Sequence, residues 1–176
     1  MTATPCPAAT GAARADLREV FRAVASSTWV VTSGTAQHPT GFTAISVVSV
    51  SVDPPLISFN IDRTSSSRDA LLTTGRAGVH LLSAAQADLA RRFAADRTRR
   101  FPDDGTWSPD SDGIPRIHGV ASRLSVQLVE TVAAGDSEIV IAEVIAGVLD
   151  DSDPLVHYSG GFRAVASPLP TDSTGI

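Results

Sequence analysis

Hydroxyl side chains are concentrated between Thr40 and Ser67. The segment ends in the run Arg63-Thr-Ser-Ser-Ser67, directly before residues that predict a helix. Clustered hydroxyls and free backbone N–H groups at a helix start hold anions, and phosphate is the commonest anion held in this way. Arg91 and Arg92, on a later predicted helix, offer a charged fork for the same phosphate. The run alone is also typical of an ordinary helix cap, so the phosphate hypothesis needs all of these pieces together.

Several common chemistries lack their residues in this chain. The sequence contains no lysine, which excludes Schiff-base chemistry and a P-loop lysine. It contains no Gly-x-Ser-x-Gly or Gly-x-Gly-x-x-Gly pattern. The four histidines, none at ligand spacing from a carboxylate or cysteine, predict no metal site: His38, His80, His118 and His157. His80 falls in a predicted strand and is interpreted as a core or cleft histidine.

Composition indicates one globular domain. The chain has 176 residues, of which 43% are hydrophobic and 19% charged, and its net charge of −5 disfavours nucleic acid and anionic membranes as partners. Cys6 is the single cysteine, so no intrachain disulfide can form and a cytoplasmic location is predicted. We expect a disordered leader over residues 1–13, one domain over 14–166 and a flexible tail over 167–176.

The elements that position these residues are mostly strands. An amphipathic helix is predicted from Ala13 to about Ala25, covering one end of a sheet with its apolar face of Leu17, Val20, Phe21 and Val24. The strand that starts at Gly41 changes its inward face near Val47, from Thr43, Ile45 and Val47 to Val48, Val50 and Val52. Such a strand must bulge or turn a corner, as barrel strands do.

Turn and cap signals place the remaining elements. One helix is predicted from Ser66 to Gly75, a second from Ser83 to about Ala95, and a mobile loop over Phe101–Pro115. Ala134–Ser137 predicts a hairpin turn between two strands. A last short strand is predicted over Leu155–Tyr158. The total of six or seven strands and three helices predicts a mainly β fold, an antiparallel barrel with about three peripheral helices.

Five motifs together resemble the flavin reductase-like family, whose fold is the FMN-binding split barrel. The likeness covers roughly Leu17 to Arg163. The motifs are Gly41-Phe-Thr-Ala-Ile-Ser46, Ser49-Val-Ser51 before Asp53-Pro-Pro55, Arg63-Thr-Ser-Ser-Ser67, Leu89-Ala-Arg-Arg-Phe-Ala94, and Gly135-Asp136 before Glu143.

This resemblance implies a flavin site, for FMN or FAD, in which each motif has a place. The ring would lie along Thr43, Ala44, Ile45 and Ser46, and the ribityl chain beside Asn60, Ile61 and Asp62. The phosphate would be held by Ser65, Ser66 and Ser67 together with Arg92, whose neighbour Phe93 is also implied to contact the cofactor. Hydroxyl and backbone partners with apolar cover suit a flavin ring.

The electron donor is implied to be NADH or NADPH, bound near Ser137, Phe162 and Tyr158. Two positions depart from the family pattern here, because Ser137 stands where a histidine usually follows Gly-Asp, and Phe162 where a tyrosine is frequent. Serine donates a hydrogen bond but neither stacks nor carries charge. Hydride transfer itself is supplied by nicotinamide and flavin, so no catalytic acid or base residue is named.

The leading hypothesis is an NAD(P)H:flavin oxidoreductase that supplies reduced flavin to a partner monooxygenase. It would act as a homodimer, with a second subunit forming part of the cleft. Two alternatives stay open: a split-barrel flavoprotein that retains FMN and acts directly on an organic substrate, and a flavin-binding protein without catalysis.

Overall fold

The computed structural model describes residues 16–95 and 97–165. Three α-helices lie there: α1 Leu17–Arg22, α2 Arg68–Thr74 and α3 Ala87–Ala94. The strands are β1 Ser26–Ser27, β2 Trp29–Gly34, β3 Pro39–Ala44, β4 Val48–Ser51, β5 Leu56–Asp62, β6 Arg76–Leu81, β7 Trp107–Pro109, β8 Pro115–Ile117, β9 Ser122–Ala134, β10 Ser137–Leu149, β11 Leu155–Tyr158 and β12 Gly161–Ala164. Short 3-10 turns span Ala84–Gln86 and Arg97–Arg99.

Seven strands form one antiparallel sheet in the order β3-β2-β6-β9-β10-β5-β4. The strands at its two ends, β3 and β4, are consecutive in the chain and are joined only by residues 45–47. The sheet must therefore curl round on itself, and β3 approaches β5 where it closes. This confirms the predicted antiparallel barrel with three peripheral helices. It also confirms the corner near Val47, with a further register shift between Ser49 and Ser51.

Strand β2 is buried along most of its length because both of its faces are covered. Val31 points into the barrel, where it packs with Phe59, Val79 and Val140. Val30 belongs to a second cluster outside the barrel, which consists of Val30, Leu82, Leu89, Ala90, Phe93, Ile117 and Leu155. This second cluster fixes α3 and the small sheet β1-β11-β12 against the barrel.

Two apolar faces are exposed, contrary to the sequence expectations. Helix α1 buries none of its residues, and its Phe21 is 67% exposed, so it does not cover a sheet within this chain. On β4, Val48 and Val50 are exposed, as is Val52 beyond its end, rather than directed into the barrel. The corner rotates β4 so that Val47, and not Val48, enters the core.

The segment Phe101–Pro115 is not the unstructured loop that its composition predicted. Strands β7 and β8 pair within and just after it, and Trp107 and Phe101 pack against the second cluster. The twelve strands over residues 16–95 and 97–165 also exceed the six or seven expected, because strands of two to four residues give no periodic signal.

Other sequence expectations are confirmed. Ser83 and Gln86 form a capping box ahead of α3, and Gly75 ends α2 in a left-handed conformation. Gly135, with φ of 66°, forms the tight turn between β9 and β10. The leader, the tail and the predicted start of the first helix at Ala13 lie outside the described residues. Over residues 16–95 and 97–165, no helix has the length and apolar character needed to cross a membrane.

Candidate functional site

The serine run lies beside strand β3, where the hydroxyl of Ser67 is fully engaged. Ser67 Oγ donates to the Gly41 carbonyl at 3.1 Å and accepts from Thr40 Oγ1 at 2.8 Å. Ser67 is buried, and it precedes α2 without capping it through its side chain. Ser65 is half-buried and Ser66 exposed. Of the three hydroxyls, that of Ser66 is therefore the most accessible to a ligand.

Ser66 lines a cleft of about 390 Å³ between β3, α2 and the segment after α3. Arg97, Thr98 and Arg100 line the same cleft. Arg100 Nη1 donates to the Gly41 carbonyl at 2.7 Å, so the same backbone oxygen is bonded to both Ser67 and Arg100. Hydroxyls and guanidinium groups around one cleft are the groups that bind a phosphate.

Arg92, which the resemblance assigned to the phosphate, lines a different cleft. Its Nη1 is 2.9 Å from Asp104 Oδ2 and 3.3 Å from Thr106 Oγ1. Hydrogen bonds from Thr106, with the Arg92 charge as a lesser cause, lower the pKa of Asp104. That second cleft, of about 590 Å³, also contains Arg91, and it shares Thr98 with the cleft of Ser66. Arg92 is thus one cleft away from the serine run.

The structure brings together the two segments implied to border the ring and the ribityl chain. Ser46 Oγ accepts from the backbone N–H of Asn60 at 2.9 Å, across the gap where the barrel closes. Thr43 Oγ1 donates to the Ala90 carbonyl of α3 at 2.7 Å. Asp62 Oδ1 accepts from the backbone N–H and the hydroxyl of Thr64, and these hydrogen bonds lower the pKa of Asp62. Strand β3 is also an end strand of the sheet, so one edge of its backbone faces this region.

Three implied contact residues have side chains that lie in the core, and their contact with a flavin stays a prediction. Phe93 is 1% exposed, and its ring lies edge-on to Phe101 at 5.0 Å. Ala44 and Ile61 face the interior of the barrel. A bound flavin can meet these two only through their backbone. By contrast, Ile45 is 47% exposed and offers an apolar surface beside Ser46.

The residues implied to bind nicotinamide lie at opposite ends of the chain's fold. Ser137 begins β10, whereas Leu149 ends it after a path of roughly 40 Å along the strand. Phe162 and Tyr158 belong to the small sheet that hydrogen-bonds to Leu82, at the Leu149 end. A single chain therefore does not assemble one pocket from all three residues.

Each end has its own contacts. Ser137 is half-buried, and its hydroxyl donates to Asp136 Oδ1 at 3.1 Å. Phe162 packs edge-on to His157, and the guanidinium of Arg91 lies 5.4 Å from the centre of its ring. This aromatic surface adjoins the 590 Å³ cleft, because Arg91 lines it.

His80 is a fully buried histidine, as the sequence predicted. Its Nδ1 is 3.1 Å from the Val30 carbonyl, which can only accept, so Nδ1 carries the proton. Burial lowers the pKa of His80 to about 3. The ring is neutral at physiological pH and lies in the core, not in a cleft.

Sequence reasoning missed Arg97, Thr98, Arg100 and Gly41 as residues of the serine cleft. The signal for the first three was the run of arginines after α3, which forms the only dense basic stretch of the sequence. The role of Gly41 depends on two hydrogen bonds from distant positions and left no local signal.

The antiparallel barrel with a hydroxyl- and arginine-lined cleft defines a ligand-binding β-barrel, and comparison with known proteins identifies its family. The sequence profile of the flavin reductase like domain matches residues 21–166. An NADH:FMN oxidoreductase from Rhodococcus qingshengii is 36% identical over 167 residues, which are 92% of this chain and 86% of that protein. The chain belongs to the flavin reductase-like family, which confirms the resemblance.

Two solved structures that share the fold are at least 30% identical in sequence to this chain. The flavin reductase component of a bacterial two-component tryptophan halogenase is 33% identical, with a TM-score of 0.78 over 86% of this chain and 98% of that one. An NADH:FAD oxidoreductase of Streptomyces globisporus, in complex with NAD and FAD fragments, is 30% identical, with a TM-score of 0.81 over 88% and 93% of the chains.

Proposed function

We propose that this chain is an NADH-dependent flavin reductase, which reduces FMN or FAD and supplies the reduced flavin to a separate monooxygenase. The observation that carries the proposal is that hydrogen bonds hold Ser46 against Asn60 and the serine run against β3, in a chain of the flavin reductase-like family. Relatives named for NADH:FMN and NADH:FAD oxidoreduction support the activity and the donor.

The residues of the site fit a flavin. A phosphate would meet the hydroxyl of Ser66 and the guanidinium groups of Arg97 and Arg100, within a cleft large enough to hold it. The ring would lie toward Ile45 and Ser46, with backbone groups of the end strand β3 other than the Gly41 carbonyl as partners. The flavin supplies the redox chemistry, because its ring accepts the hydride that NADH donates. The protein binds and orients both molecules.

We also propose that the active form is a homodimer. Ser137 and the small sheet of Phe162 lie at opposite ends of the path along β10, so we expect a second subunit to bring both kinds of contact to one nicotinamide. The exposed apolar faces of α1 and β4 provide surface for this contact. The single domain proposed for residues 14–166 agrees with the extent of the family match. The cytoplasmic location rests on the lone cysteine of the sequence.

A separate monooxygenase partner is supported by the 4-hydroxyphenylacetate 3-monooxygenase reductase component of Pseudomonas aeruginosa, which is 30% identical over 144 residues. The halogenase reductase component likewise belongs to a two-component system. In such a system the flavin must leave the reductase, so we expect weak binding of FMN after purification. A partner would accept the reduced flavin by diffusion.

The test is NADH oxidation, followed at 340 nm, by the purified protein with added FMN or FAD. We expect turnover that saturates with the added flavin, together with a nearly colourless protein after gel filtration. Absence of turnover with both flavins and both nicotinamides would contradict the proposal. A tightly held yellow cofactor without turnover of free flavin would instead support a flavoprotein acting on an organic substrate. Ser137→His is expected to raise the rate with NADH if this position faces the nicotinamide.

A further inference from the structure

A partly buried ion pair connects the serine segment to the hairpin between β9 and β10. Arg68 Nε donates to Glu138 Oε2 at 2.9 Å and Arg68 Nη2 to Oε1 at 2.7 Å, so the guanidinium grips the carboxylate with two parallel hydrogen bonds. Glu138 is 8% exposed. The hydrogen bonds from Arg68 also lower the pKa of Glu138, with the charges of Arg68 and Arg63 as lesser causes. This pair is the most buried ion pair over residues 16–95 and 97–165.

A backbone contact reinforces the connection. The N–H of Arg63 donates to the carbonyl of Asp136 at 3.0 Å. The segment 62–68 is therefore joined to the hairpin at its start through the backbone and at its end through Arg68. Ser65 and Ser66 lie between these two points, and Ser137 lies between Asp136 and Glu138. The segment assigned to the flavin phosphate and the hairpin assigned to nicotinamide are thus connected at two points.

An ion pair with one buried partner is a poor source of stability. Removing charge from water costs about as much as the two ions recover from each other, and well-packed apolar replacements are often equally stable. Two parallel hydrogen bonds do, however, fix the distance and the angle between the elements that carry them. The geometry of Arg68 and Glu138 therefore suits a positioning role better than a stabilising role.

We propose that Arg68 and Glu138 form a positioning pair, which holds the phosphate-binding segment at a fixed distance from the hairpin of Ser137. This inference rests on the proposed function for its ligand. With the pair in place, the segment is ordered before flavin arrives, and binding carries no ordering cost. Without the pair, that cost falls on the binding step, and the KM for flavin rises while the chemical step is kept.

The test uses the double substitution Arg68→Met with Glu138→Leu, which removes both charges and keeps the volume filled. The double substitution is preferred because Arg68→Met alone would leave the buried Glu138 carboxylate without its partner. We expect the double variant to unfold cooperatively within a few degrees of the wild-type Tm, and its KM for FMN to rise about fivefold at nearly unchanged kcat. Arg76→Gln with Asp112→Asn is the matched control, since that pair is half exposed and outside the cleft of Ser66. It should leave the KM unchanged.

Hydrogen exchange by mass spectrometry provides a readout that needs no activity. Amides of residues 62–68 and 135–138 should exchange faster in the double variant, whereas those of the barrel core should not change. A folded double variant with wild-type KM and wild-type exchange in both segments would overturn the positioning role. Faster exchange in a protein that never oxidises NADH would support the structural pairing and contradict the proposed function. The two failures are therefore distinguishable.

Discussion

At the scale of single residues, the neutral state of His80 makes stability depend on pH. The unfolded chain binds a proton at this ring with a pKa near 6.5, whereas burial lowers the pKa in the folded chain to about 3. Between these values the unfolded state holds a proton that the folded state lacks, so stability falls as the pH falls from 6.5. We expect a loss of about 1.4 kcal/mol per pH unit in that window from this residue. Urea unfolding at pH 7.5, 6.0 and 5.0 measures it.

The comparison that isolates His80 is between two substitutions. His80→Leu removes the buried titrating ring and should flatten the dependence of the unfolding free energy on pH between 7.5 and 5.0. His118→Asn, which changes an exposed ring, should keep most of it. Equal slopes in the two variants would show that the pH dependence comes from other groups.

The neighbouring residues Ser66 and Ser67 have hydroxyls with different roles, since we expect that of Ser67 to support the fold and that of Ser66 to bind the ligand. Ser67→Ala removes the donor to the Gly41 carbonyl and should lower the unfolding free energy by about 1 kcal/mol. Ser66→Ala should leave the stability unchanged and raise the KM for FMN about fivefold, since it removes one accessible hydrogen-bond donor from the cleft. Thermal unfolding and NADH oxidation measure the two effects. The reverse assignment of the effects would place the phosphate on Ser67.

The separate roles of the three serines could not be predicted from the sequence. The hydroxyl run was found because its composition is local, but its three serines could not be ranked. The ranking depends on a carbonyl that is 26 positions away from Ser67. Similarly, the resemblance implies Arg92 as a phosphate ligand, and this stays a prediction. Its capture by Asp104 depends on how the segment after α3 folds back.

At the scale of elements, helices and long strands were predictable, and small paired strands were not. Apolar periodicity and caps located α3, and the Gly135 turn located the β9–β10 hairpin. Strands β7 and β8 have three residues each and lie in a segment rich in Asp, Gly, Pro and Ser. These two strands are held in place by contacts with residues outside them. Trp107 Nε1 donates to the Pro102 carbonyl at 2.9 Å, and its ring lies edge-on to Phe101 at 5.2 Å.

Trp107→Ala should therefore weaken the pairing of β7 with β8. The loss of the half-buried ring and its hydrogen bond should lower the unfolding free energy by about 2 kcal/mol, and amides of residues 101–117 should exchange faster with solvent. Because Phe101 lines the cleft of Ser66, the KM for flavin should rise as well. Ser108→Ala, on the same strand, is the control and should change neither quantity. Fast exchange of this segment already in the wild type would show that the anchors do not order it.

At the scale of the whole molecule, the barrel was predictable because its closure left a trace in the sequence. The change in apolar alternation near Val47 marks the corner that lets β3 and β4 occupy the two ends of one sheet, although Ala44 and Val47 enter the core and Ile45 and Val48 do not. The sequence pattern did not show which apolar faces stay uncovered within one chain. Periodicity identifies an apolar face but not its partner, so the faces of α1 and β4 were assigned to the core. Their exposure is what directs attention to a second subunit.

A homodimer predicts how activity and association change together. Phe21 is 67% exposed and Val50 52% exposed, so Phe21→Asp or Val50→Asp should leave a folded chain with nearly unchanged Tm. Each charge would be buried against apolar surface in a dimer, and sedimentation velocity at micromolar concentration should show a shift from dimer to monomer. NADH oxidation should fall in parallel, because one chain holds Ser137 and Phe162 at opposite ends. Thr73→Asp places the same charge on an exposed position of α2 and should change neither property. A wild-type protein that sediments as a monomer with full activity would contradict the shared site, and both ends of the nicotinamide site would then have to be reassigned within one chain.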